Sequence, residues 1–170
     1  MILSVHIIFG TTAASLVPSH PIGAFSIAFL SHFILDSIPH KDYNLKYFES
    51  NENEQKKIIN TVYNKISLFR DMFLVFIDGL VGICIAFMLV FDPAKPWIFL
   101  IGIVGSLLPD FLTFLYLLIK HKSLSLFFKF HVSFIHSKFI LKLNQLTGVI
   151  TQFITLAILV ALLFGVKNFL

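Results

Sequence analysis

Five ionisable side chains stand inside long apolar runs of this 170-residue chain: His6, His32, Asp36, Asp78 and Asp110. An aspartate carried into a bilayer costs on the order of 3 kcal/mol on insertion scales, so such groups are rare and tied to function. No lysine or arginine lies deep in any of these runs to offset them. Three compensations remain: protonation, since burial raises a carboxyl pKa, a histidine partner, or a bound cation. One divalent ion satisfies several carboxylates and imidazoles together, and the sequence favours it. His32 and Asp36 are one helical turn apart, so an imidazole and a carboxylate reach one ion from one face. Pro39 ends that helix and lets His40 fold back over the site. Pro109 removes a backbone hydrogen bond to Gly105 and opens the helix at Asp110.

The elements that must position these groups follow from composition. The chain is 57% apolar and 13% charged, with mean hydropathy +0.89. Soluble domains carry roughly 25% charged residues, so a disordered chain, a nucleic-acid arm and a water-soluble domain are all disfavoured. The net charge of +4 fits an anionic membrane face better than a nucleic acid. Cys84 has no cysteine to pair with and says nothing of redox compartment. A bilayer-spanning helix needs about 20 apolar residues; runs 68–91, 97–119 and 146–165 meet this, and runs 2–17 and 22–38 are read as short spans separated by Pro18-Ser19-His20-Pro21. No basic residue precedes Lys41, so the first run lacks the flank of a cleaved signal. The expectation is an all-α integral membrane bundle, one domain over 1–170, with about five hydrophobic helices. Amphipathic interfacial helices accompany them: Ile58, Ile59, Val62 and Ile66 recur at helical spacing within the polar segment 40–67, and lysines alternate with phenylalanine and leucine in segment 120–144.

With five spans, Lys41, Lys46, Lys56, Lys57, Lys65, Lys120, Lys122, Lys129, Lys138 and Lys142 share one side and only Lys95 and Lys167 the other. The positive-inside rule then sets the N-terminus and both long loops in the cytoplasm, in an inner membrane. On this topology the ionisable groups of four helices fall in the cytoplasmic half of the bilayer, with Asp78 and Asp110 roughly 15 Å deep. Asp71 lies two turns before Asp78 on the same face, and Arg70 beside it neutralises that acid or leaves it to cap the helix. The glycine pairs Gly79/Gly82 and Gly102/Gly105 permit the close helix packing that keeps lipid from a polar centre.

The string Ser31-His32-x-x-Leu35-Asp36-x-x-Pro39-His40, followed by Gly105-x-x-Leu108-Pro109-Asp110, resembles the bacterial inner-membrane metal-dependent hydrolases of the YdjM-like group. His6 with Gly10 matches that group's early histidine and glycine, and His131 with His136-Ser137 resembles its late histidine pair. The resemblance spans residues 6 to about 137. It implies distant similarity to zinc phospholipases C and P1-type nucleases, a phosphoester-cleaving activity, and His131 and His136 as further ligands.

Two classes of function follow. In the first, one or two divalent ions (zinc first, with manganese or iron as alternatives) sit among His6, His32, Asp36, Asp78, Asp110, His131 and His136, and a metal-activated water attacks a phosphoester. Asp78 or His40 serves as general base or leaving-group acid. The basic face favours an anionic lipid or lipid-linked phosphate as substrate, with no nucleic acid. In the second class the same groups make an ion or proton path, or a metal-stabilised scaffold without turnover. Against transport, the outer half of each span carries no relay and no inverted repeat is visible.

Overall fold

A helix that is apolar all round must be surrounded, and the first one is. In a computed structural model, which describes residues 1–40, 43, 61–136 and 145–167 (side chains at 61–65, 133–136, 145 and 167 excepted), every residue from Ser4 to Ala14 of α1 (Leu3–Ala14) is buried. Its hydroxyl side chains are satisfied without water. The Thr11 hydroxyl donates to the Ile7 carbonyl at 2.6 Å and the Thr12 hydroxyl to the Ile8 carbonyl at 2.7 Å, the self-contained bonding that an apolar setting demands.

Around α1 stand α2 (Pro21–Asp36), α3 (Thr61–Val90), α4 (Pro96–Ile119) and α6 (Gln145–Lys167). Proline opens both α2 and α4 at the first helical position, where its missing N–H costs nothing. α2 also packs along α4, whereas α3 and α4 touch each other little and are bridged by α1. All the described secondary structure is helical, and the whole forms one helical bundle. Three helices, Ile66–Val90, Pro96–Ile119 and Leu146–Val166, are long and apolar enough to cross a membrane. α1 and α2 are shorter, about 18 and 24 Å at 1.5 Å per residue, against a hydrocarbon thickness of about 30 Å. The two runs read as short spans thus form one fully enclosed helix and one that covers it.

After α4, Lys120 adopts a left-handed conformation (φ 48°) and its N–H bonds the Tyr116 carbonyl at 2.7 Å, closing the helix. The chain turns into α5 (Lys122–Phe128) and a π-helical stretch, Lys129–His136, which returns against α2. Most of segment 40–67 and residues 137–144 of the interfacial segment lie outside the described residues.

Glycines set the helix separations that matter for the centre. A Cβ on Gly10 of α1 would stand 2.5 Å from the Ser106 Cβ of α4, and one on Gly105 of α4 2.9 Å from the Ala28 Cβ of α2. Side chains at these places would force the three helices apart.

Candidate metal centre

At the C-terminal end of α2, His32 and Asp36 project from one face, as their spacing requires. Asp110 reaches them from α4 and His131 from the π-helical stretch. The geometry is tight. His32 Nε2 lies 3.0 Å from Asp36 Oδ2, 3.4 Å from Asp110 Oδ1 and 3.2 Å from His131 Nε2, and His131 Nε2 lies 2.9 Å from Asp36 Oδ2. One ligand atom from each of the four residues falls within 4.8 Å of every other, and the group could hold a metal ion. The side chains of His32, Asp36 and His131 are essentially without exposure, while that of Asp110 is 35% exposed. The group therefore has one open side.

Proton bookkeeping shows what the arrangement needs. His32 Nδ1 lies 2.8 Å from the Ser106 carbonyl oxygen. A carbonyl only accepts, so Nδ1 carries the proton and, in the neutral ring, Nε2 presents its lone pair. His131 Nδ1 is held at 2.7 Å by the Thr113 hydroxyl, which places its Nε2 against the same oxygen of Asp36. Two imidazole nitrogens and oxygens of two carboxylates thus converge. A single proton on one nitrogen serves one of these pairs, and protons on both nitrogens would oppose each other across 3.2 Å. A cation at the centre serves all four. A tetrahedral site with bonds of about 2.0–2.1 Å has edges of about 3.3 Å, and the four separations here bracket that value. Anchoring of the distal imidazole nitrogen by a carbonyl or hydroxyl is the usual support of ligating histidines.

The other oxygen of Asp36 faces a second group. His6 Nε2 lies 3.2 Å from Asp36 Oδ1 but out of hydrogen-bonding direction, so neither nitrogen of this fully buried ring makes a hydrogen bond among the described residues. The ring instead stacks on His32, centroids 3.9 Å apart. His40 is buried and folded back after Pro39, with Nδ1 2.7 Å from the Ile38 carbonyl and Nε2 3.9 Å from Asp36 Oδ1. The Met1 amino nitrogen is 3.0 Å from Asp36 Oδ1 and 2.7 Å from His40 Nε2, placing one positive charge on this side of the carboxylate.

Asp78 is placed elsewhere. Its carboxylate accepts the Ser4 backbone N–H at 2.9 Å, the Ser4 hydroxyl at 2.7 Å and the Tyr43 hydroxyl. Tyr43 in turn accepts the Leu3 N–H at 2.7 Å, and the Gln152 side-chain oxygen accepts the Ile2 N–H at 3.0 Å. The free N–H groups at the start of α1 are thereby bound by three other parts of the chain, with a negative charge at the positive end of the helix dipole. Burial, reinforced by the Asp78 carboxylate, pushes the Tyr43 hydroxyl above the ordinary tyrosine range. Asp78 thus stands outside the four-residue group, as a cap of α1. Asp71 is buried and lies 3.3 Å from Arg70. His136 is the last described residue of the π-helical stretch, and its side chain lies outside the described residues.

The structure therefore brings together His6, His32, Asp36, His40, Asp110 and His131 and leaves Asp78 apart. The sequence reading missed Ser106 and Thr113, the partners of the two distal imidazole nitrogens. Thr113 had a legible signal in standing three residues after Asp110, on the same helical face; the Ser106 carbonyl, a backbone group, had none. Comparison of the chain with family models, with curated proteins and with solved structures finds no match.

Proposed function

We propose that this chain is a membrane-embedded, metal-dependent hydrolase that cleaves a phosphoester of a lipid or another amphiphile at the cytoplasmic face, and that it belongs with the YdjM-like hydrolases its motifs resemble. The observation that carries the reading is the convergence of two distally anchored imidazoles with two carboxylates, buried on every side but one. Four donors would fill a tetrahedral shell, so turnover requires that the exposed Asp110 yield its position, or the shell expand to five, to admit water and substrate. A divalent ion bound there supplies a Lewis acid and lowers the pKa of a water toward neutrality. Mixed imidazole and carboxylate donors suit zinc, with manganese or iron next. The chain's own part is to fix the donor directions through Ser106 and Thr113, and to exclude water through the enclosed α1. Asp36 presents its second oxygen to His6, His40 and the Met1 amino group, so a second ion on that side would have to displace that amino group. The lysine distribution supports an open side that faces the cytoplasm.

Elemental analysis of the purified full chain tests the metal. We expect one or two zinc ions per chain in the wild type and in Asp78→Asn, and their loss in His32→Ala and Asp36→Asn. Wild-type protein without stoichiometric metal overturns the reading. With metal present, hydrolysis of a long-chain phosphoester in proteoliposomes supports the enzyme. Ion flux without hydrolysis assigns the site to transport instead.

A further inference from the structure

The lipid-facing side of the bundle is not smooth. Because α3 and α4 touch little and are both held by α1, a cleft of about 610 Å³ runs between them, with Leu3 and Ile7 of α1 as its floor, Phe73, Phe76 and Leu80 of α3 as one wall and Leu107 of α4 as the other. The volume lies within the range of about 300–1,000 Å³ usual for small-molecule sites. Along α3 the cleft extends from Phe69 to Ile83, about 21 Å at 1.5 Å per residue. That exceeds one leaflet's share, about 15 Å, of a 30 Å hydrocarbon core. Every lining side chain among the described residues is apolar, and Phe73, Phe76 and Leu80 are themselves exposed on the outer face of the bundle, so what reaches the cleft from the bilayer is hydrocarbon.

Two of the helices that line the cleft also carry members of the metal centre, although none of those members lines it. Leu3 and Ile7 flank His6 on α1, so floor and centre share one depth. Leu107 and Asp110 are one turn apart on α4 and lie on neighbouring positions of one face, and Asp110 is the exposed member of the four. We infer that the cleft between α1, α3 and α4 seats an acyl chain of a membrane lipid, holding its headgroup beside Asp110. This rests on the hydrolase reading for the fate of the headgroup, and makes the substrate a long-chain lipid entering sideways from the bilayer.

Full-length protein in proteoliposomes containing a phosphatidylglycerol with a diazirine midway along one acyl chain supplies the test. After photolysis, mass spectrometry should find adducts on Phe73, Phe76, Leu80 and Leu107 enriched about fivefold over Ile154 and Leu162 of α6, which are as exposed as Phe73 and Phe76 and more exposed than Leu80 and Leu107, a preference of about 1 kcal/mol at 1.4 kcal/mol per decade. Gly79→Leu places bulk in the cleft, where a Cβ meets only the tip of Leu3 at 3.2 Å. It should reduce cleft labelling to the α6 level while metal content stays unchanged, and Leu80→Trp should do the same from the rim. Labelling spread evenly over α3 and α6, or unaffected by both variants, overturns the lipid seat even if phosphoesters are hydrolysed. Cleft labelling without hydrolysis leaves the seat standing and overturns the hydrolase reading alone.

Discussion

A histidine buried for packing and a histidine poised to bind an ion differ in where the distal nitrogen goes. In this chain the Nδ1 atoms of His32 and His131 are committed to the Ser106 carbonyl and the Thr113 hydroxyl, at 2.8 and 2.7 Å, and both Nε2 atoms aim at one oxygen of Asp36. Thr113 is the member of this support that a side-chain replacement reaches. Thr113→Val keeps the volume and removes the hydroxyl, freeing the His131 ring to turn. Loss of such a partner lowers metal affinity by about 10–100-fold, which chelator competition measures. Thr113→Ser restores the hydroxyl and should restore the affinity; equal affinity in all three proteins would show that Thr113 does not orient His131. At this scale the sequence was legible where spacing is local. His32 and Asp36 share a face because they are one turn apart. Asp78 carries the same signal, an acid in an apolar run, yet serves α1 through Ser4 and Tyr43, which lie 74 and 35 residues away along the chain. Nothing local distinguishes a ligand from a cap whose partners are that remote.

Among the elements, the three long apolar runs declared themselves by length, and the observed helices follow them closely, apart from α3, which is already helical at Thr61, the first residue described there. That earlier start continues the amphipathic pattern through Val62 and Ile66 into the span. The role of α1 could not be read in the same way. An apolar stretch looks alike whether it faces lipid or four other helices, and what settles the matter is contact at its small residues. Gly10 is the point where this becomes testable. Its Cα faces Ser106, whose carbonyl holds His32, and an added Cβ would lie 2.5 Å from the Ser106 Cβ. Neither atom sits at the end of a flexible side chain, so α1 and α4 must separate. Gly10→Ala is expected to cost about 1–3 kcal/mol, the usual range for overpacking, read as a lower denaturation midpoint in detergent, and to weaken metal retention by moving the Ser106 carbonyl. Gly165→Ala, with nothing within 4 Å of the new Cβ, is the matched change without strain. If both substitutions behave alike, the close approach of α1 and α4 does not position the centre.

Across the whole molecule, the polar centre is where otherwise separate parts are tied. α3 and α6 present much of their length to lipid and join the bundle chiefly through α1. In lipid, apolar helices gain little from one another by the hydrophobic effect, and packing and polar contacts carry association. His6 of α1, His32 and Asp36 of α2, Asp110 of α4 and His131 beyond α5 meet at one point, so an ion bound there would close a clamp around three helices and the returning π-helical stretch. Without it, and counting the described residues alone, converging lone pairs and two carboxylates oppose the same closure, relieved on one side by the Met1 amino group. Binding to the folded state alone adds about 2.7 kcal/mol at a hundredfold excess over Kd. For a chain of this size that corresponds to about 5–10 °C in Tm. Zinc added to chelator-stripped protein in detergent should therefore raise Tm by that amount and sharpen the transition, since several elements would unfold together. Asp36→Asn weakens the one residue that faces both halves of the centre, and should abolish the zinc response while Asp78→Asn preserves it. A response that survives Asp36→Asn would place the stabilising ion at some other point of the bundle.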